Sequence, residues 1–230
     1  ITLVTRAPEQ TQSGHIQRLS QAGIHVCAGH TNADHQQIKA ALDEGLLGFT
    51  HLFNAMRPMT ARDPGVVGAA LADNRSWCGI IADGHHVDPV TLQVAINSKP
   101  QGKVFLVTDA MATVGSDNKS FDIYGETITE QNGRLINAEG RLAGSAIGMI
   151  DAVKFCHLTM QLTLEECLRM ASLYPAQFIQ KADLLGRIRH GYRADLVHVN
   201  HDFSVRRTWV NGELHHHSQL DSDPNEYREQ

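Results

Sequence analysis

Five apolar, β-branched runs, each closed by a polar or ionisable residue, constrain the fold of this chain more than any other feature. They are residues 3–9 (LVTRAPE), 25–30 (HVCAGH), 48–51 (GFTH), 78–86 (CGIIADGHH) and 104–110 (VFLVTDA). They recur roughly every 25 residues with helix-like sequence between them, the spacing of βα units. In a (β/α) barrel the C-terminal strand ends open into one mouth, so residues distant in sequence converge there. A closed barrel of this kind has eight strands, and five are counted. Either the chain is an unusual open α/β domain, or these are the last five strands and three lie before Ile1; the small β module at the end of the chain favours the second.

The runs predict strands over 25–30, 48–53, 78–83 and 104–108, with a first strand before Pro8. Helices are expected over 12–22, from caps at 31–34 through 42, over 89–96, and in two or three pieces over 147–157, 164–172 and 175–180. Residues 54–68, with Pro58, Arg62, Asp63, Pro64 and Gly65, read as a long loop. Residues 121–142 alternate and turn at Gln131-Asn132-Gly133, a β-hairpin signal. After Gly186 the character changes, and 194–199 and 205–212 read as short strands of a small β module. The expected division is therefore a partial barrel over 1–183, part of a small β domain over 184–214 and a polar tail over 215–230, with disorder expected from Ser218.

A formal charge of −5 with no basic block argues against nucleic acid and against acidic membrane surfaces as partners. No apolar run approaches the length of a membrane span. The four cysteines, Cys27, Cys78, Cys156 and Cys167, fall inside predicted strands and helices without a framework spacing. Buried free thiols in a reducing, cytoplasmic compartment are the expectation. The chain opens on Ile1 without a methionine, so the lack of a leader carries little weight.

His30 and His51 each end a strand. Imidazole suits Zn, Fe, Co, Ni or Mn, and two such ligands leave positions for a carboxylate and water. The alternative is a pair of capping or surface histidines, which is less economical for adjacent strand ends backed by a third histidine and an aspartate. Asp109 follows an apolar strand, where partial desolvation and a nearby cation together suit a group that takes and returns a proton. Its alternative is a helix or turn cap. His85 and His86 are adjacent, and spacing alone does not choose between them. Asn54, the Ala55 backbone N–H and Arg62 suit an anion such as phosphate, although a loop arginine is ordinarily just solvated.

These strings, AGHTNA at 28–33, THLFNAM at 50–56, RDPG at 62–65, GIIADGHHVD at 79–88 and LVTDA at 106–110, closely resemble the N-acetylglucosamine-6-phosphate deacetylases of the amidohydrolase superfamily. The closing GRI at 186–188, ADLV at 194–197 and VNG at 210–212 resemble that superfamily's return into its small β domain. The resemblance implies a metal-dependent (β/α)8 TIM barrel of the amidohydrolase type with part of a small β-sandwich. It implies His30 and His51 as ligands of a divalent metal, zinc first among the candidates, and Asp109 as catalytic acid and base. It implies His86 rather than His85 on the sugar, and Asn54 and Ala55 on the 6-phosphate. Arg62 would join that phosphate from the second subunit of a homodimer. The remaining metal ligand, a glutamate, and a carbonyl-polarising histidine are expected upstream of Ile1. The implied reaction is deacetylation of N-acetylglucosamine 6-phosphate. Two rival readings are another amidohydrolase, dihydroorotase-like or deaminase-like, and a non-catalytic scaffold on the same fold.

Overall fold

The computed structural model describes residues 1–217. Five parallel strands, β1 (Leu3–Arg6), β2 (His25–Ala28), β3 (Gly48–Phe49), β4 (Trp77–Ile80) and β5 (Val104–Leu106), lie side by side in sequence order. Helices α1 (His15–Gln21), α2 (His35–Asp43), α3 (Gly65–Ala72) and α4 (Pro89–Ser98) carry the chain from each strand to the next. This is five βα units of a partial TIM barrel, as the apolar runs predict. Strands β2 to β5 are buried almost throughout, because helices cover one face and the barrel interior the other. Edge strand β1 is mostly exposed. The core is built on Val26, Ile38, Phe49, Leu52, Ile80, Leu92 and Leu106.

The caps follow the local chemistry. Asp34 accepts the N–H groups of Gln36 and Gln37 while the Gln37 side chain accepts the Asp34 N–H, a reciprocal capping box that starts α2. Asp88 caps α4, with Pro89 at a position where its missing N–H costs nothing. Several expected bounds shift. The third strand ends at Phe49 rather than 53, because residues 50–55 curl into a turn with positive φ at His51, Phe53 and Ala55. The loop expected over 54–68 gives way to α3 at Gly65. That helix is apolar on every side, GVVGAALA, and shows no periodic contrast to read.

After β5 the chain builds a four-stranded antiparallel meander, not a single hairpin: β6 (Ser120–Ile123), β7 (Glu126–Gln131), β8 (Arg134–Ile136) and β9 (Leu142–Ser145). Both Tyr124-Gly125 and Asn132-Gly133 place two residues at positive φ, the conformation of a tight hairpin turn. Helices α5 (Met149–Leu158), α6 (Leu164–Ala171) and α7 (Leu173–Phe178) follow, with α6 and α7 against β5. A separate antiparallel sheet of β10 (Leu196–Val199), β11 (Val205–Val210) and β12 (Glu213–His217) ends the described chain. Asn211-Gly212, read as part of a strand, is instead the β11–β12 turn, so the module has three strands. The tail expected to be disordered from Ser218 lies outside the described residues. Among the described residues no helix is long and apolar enough to cross a membrane.

Candidate functional site

His30, His51 and Asp109 share an unusual backbone. Each stands two or three residues beyond its strand, and each takes a left-handed φ, +48°, +34° and +52°. Side chains with a Cβ avoid this region, and it persists where the surroundings enforce it, often at functional sites. Close contacts hold the turns that carry His30 and Asp109. Gly29 lies between Thr5 of β1 and Thr50 past β3, whose hydroxyls hydrogen-bond at 2.8 Å. A Cβ on Gly29 would lie 2.7 Å from Thr5 Cγ2 and 3.0 Å from Thr50 Cβ. Asp109 is tied to the end of β9: its carbonyl accepts the Ser145 N–H at 2.8 Å, and the Ser145 hydroxyl donates to the Thr108 carbonyl. The meander thus fixes the turn that carries Asp109.

The two strand-end imidazoles meet. His51 Nε2 lies 2.9 Å from His30 Nε2, with the rings edge to face at 4.8 Å between centroids. His30 is exposed at the mouth and His51 is buried. Burial pushes the His51 imidazole below its ordinary value; the Asp109 carboxylate pulls the other way, and His30 and His86 deepen the depression. A neutral imidazole with Nε2 free is the form that binds a metal. Two Nε2 atoms 2.9 Å apart on neighbouring strand-end imidazoles fit a divalent ion. Among the described residues no third His, Cys, Asp or Glu joins them closely enough to complete a cage. Asp109 itself is exposed, not partly desolvated as the apolar run suggested, because it sits past the strand on an open rim.

The adjacent histidines separate cleanly. Asp83, three residues past β4, accepts the backbone N–H groups of His85 and His86 at 2.8 and 2.9 Å and the His86 Nδ1 at 2.6 Å. Both side chains are inside, His86 6 % and Asp83 1 % exposed. Burial opposes the charge on Asp83, yet the hydrogen bonds from His86 and the two backbone amides prevail and hold its carboxyl down to about 2. His85 is exposed, accepting from Arg134 Nε, at the start of β8, at 3.3 Å. Asp83 is the site residue that the sequence reading passed over. Its signal was an Asp-Gly pair after an apolar strand with a histidine three positions on, an Asx turn whose side chain binds the backbone ahead of it.

A cleft of about 640 Å³ opens beside His30, lined also by Glu9, Thr31, Asn32, Ala55 and Arg57. Thr31 N–H donates to the Ala55 carbonyl at 2.9 Å and Arg57 N–H to the Thr31 carbonyl at 3.1 Å, which brings the turn after β3 beside the end of β2. Glu9 supports the same end from β1's side, accepting the Asn32 N–H at 2.7 Å and the Thr31 hydroxyl. Asn54 is half-buried, its amide turned back onto the His51 and Leu52 carbonyls at 3.3 and 3.4 Å. Arg62 is not brought to this cleft. It is exposed and without an ion pair among the described residues, while its neighbour Asp63 clamps Arg57 at 2.5 Å.

This arrangement has known relatives. An N-acetylgalactosamine-6-phosphate deacetylase of Shewanella sp. (strain ANA-3) is 39% identical over 214 residues, which are 93% of this chain and 54% of that protein. An N-acetylglucosamine-6-phosphate deacetylase of Vibrio furnissii is 38% identical over 92% of this chain and 53% of its own length. The crystal structure of N-acetylglucosamine-6-phosphate deacetylase from Pasteurella multocida superposes with a TM-score of 0.89 at 38% identity, over 94% of this chain and 56% of that one. The chain therefore spans just over half the length of the relatives it matches. The profile of the amidohydrolase family covers residues 18–215, most of the barrel units and the terminal sheet, and the chain belongs to that family.

Proposed function

We propose that this chain is the C-terminal part of a metal-dependent deacetylase of N-acetylated hexosamine 6-phosphates, acting on N-acetylglucosamine 6-phosphate. The observation that carries the reading is the meeting of His30 and His51 at 2.9 Å, from the neighbouring ends of β2 and β3, on the same sheet whose β5 leads to Asp109. His30 and His51 would hold the divalent ion, zinc first, which supplies the positive charge that acidifies water and polarises the amide carbonyl. Asp109 takes the proton from the attacking water and gives it to the departing nitrogen, so acetate and the free amine leave together. His86 holds the sugar, and Asn54, the Ala55 amide and Arg62 hold the 6-phosphate. Those remote contacts supply positioning for the amide. Arg62 reaches outward from its loop, which suits service to a partner subunit in a homodimer. The division into a partial barrel over 1–183 and part of a small β domain over 184–214, and a cytoplasmic location, belong to the same reading.

A second substrate has its own support, since the Shewanella relative is named for the galactosamine epimer at nearly the same identity as the Vibrio relative for the glucosamine. The two sugars share the acetamide and the phosphate, the groups that this site addresses. Acetate release from both, measured on the polypeptide at the length of its relatives, tests the reading. Hydrolysis of one or both phosphorylated sugars in preference to their unphosphorylated forms is expected. Turnover of dihydroorotate or adenosine instead would replace it with a rival amidohydrolase activity.

A further inference from the structure

We infer that Asp83 is a positioning residue for substrate binding, acting through His86 by holding its Nδ1 and turning its Nε2 toward the mouth. The inference rests on the proposed function and extends it to a residue with no assigned role. Three observations support it. The Asp83 side chain, beyond β4, is 1 % exposed, and one of its oxygens, Oδ1, accepts both the His85 and His86 N–H groups. The other, Oδ2, has the His86 imidazole as its side-chain partner at 2.6 Å. His86 itself is 6 % exposed and follows β4, the strand that lies between those leading to His51 and to Asp109.

The chemistry follows from what an imidazole can do at two nitrogens. A carboxylate accepts only, so Nδ1 carries the proton and Nε2 is the single atom left for a ligand. Without the carboxylate, the ring has two tautomers and two flip states, and only one arrangement presents the required atom. Asp83 also shapes the turn itself, since the N–H groups it accepts belong to the residues that must diverge, His85 exposed and His86 with its side chain buried. A purely structural aspartate would account for the backbone bonds but not for the short contact to Nδ1.

The test is a double-mutant cycle on the deacetylation of the phosphorylated sugar, in the polypeptide at the length of its relatives, using Asp83→Asn, His86→Ala and the pair. Each single variant is expected to raise KM about tenfold or more with kcat changed far less, and the pair to be no worse than His86→Ala alone. Asp83→Glu, which keeps the charge on a longer stem, is expected to recover part of the loss. Additive losses in the pair, or an unchanged KM in Asp83→Asn, overturn the inference. A polypeptide with no deacetylase activity overturns the proposed function instead. Histidine-selective NMR then decides the point on its own: His86 held as a single Nδ1–H form in the parent, and lost in Asp83→Asn, supports it. A His86 ring that already exchanges between forms in the parent contradicts it.

Discussion

At the scale of single residues, the roles assigned here separate by what each substitution should leave intact. Asp109→Asn is close in shape but cannot shuttle a proton, so metal content and substrate affinity should persist while kcat falls about 10²–10⁴-fold. Near-normal turnover would remove Asp109 from the chemistry. His30→Ala and His51→Ala should lose the ion itself, which elemental analysis reads directly, and full occupancy in either would return that histidine to a structural role. Asp83 makes a prediction about acid stability. Its carboxyl titrates lower in the fold, near 2, than the ordinary 3.8, so its contribution is present above pH 4 and lost as pH falls toward 2. That shift is worth about 2 kcal/mol, and Asp83→Asn should show a correspondingly shallower loss of stability between pH 4 and 2. An unchanged acid profile would mean that the His86 contact is not formed in solution. Of these residues, His30, His51 and Asp109 were legible because each is an ionisable group ending an apolar run. Asp83 also ends an apolar run, but its importance lies in a three-residue turn to His86 that periodicity does not register.

At the scale of elements, the parallel strands were the most readable part of the chain, because strands buried on both faces are continuous apolar runs. Their ends were less so. Residues 50–53 look like more strand, but the positive φ at His51 and Phe53 bends them into the mouth, and apolar composition alone does not reveal a turn. Helix α3 was missed for the opposite reason, being apolar all round. Its C-terminal end is closed from a distance by Lys99, a buried ammonium directly after α4. Lys99 donates to the Ala70 carbonyl at 2.9 Å, to Ser76 Oγ at 3.2 Å and to the Asp73 carbonyl. Burial pushes its pKa down, and the three acceptors replace the water it gives up. Lys99→Met keeps most of the volume and leaves those acceptors bare. It should lower stability by about 2 kcal/mol in chemical denaturation, whereas Lys39→Met, which removes only the exposed pair with Asp43, should cost less than about 0.5. Equal effects would deny Lys99 its capping role.

At the scale of the whole molecule, the five-stranded sheet leaves β1 and β5 as edges, and the site has two imidazoles where a hydrolytic ion needs further protein ligands. The 230-residue chain alone is therefore expected to be inactive, and monodisperse material with deacetylase turnover would contradict that. Arg62 belongs to this scale as well. Arg62→Ala should weaken binding of the phosphorylated sugar while barely changing activity on the unphosphorylated one. If it serves a partner's site, mixing Arg62→Ala with Asp109→Asn subunits should restore activity, because one site of the mixed dimer then has both residues; no recovery would place it in its own subunit. A divalent ion on His30 and His51, with Asp109, is proposed to remove acetate from a hexosamine 6-phosphate. Acetate release from N-acetylglucosamine 6-phosphate, before and after chelation and metal restoration, tests it most directly in the polypeptide at the length of its relatives. One acetate per amine freed, loss of turnover with the ion and recovery on its return are expected; turnover that survives complete metal removal, or none with the ion bound, would contradict this assignment.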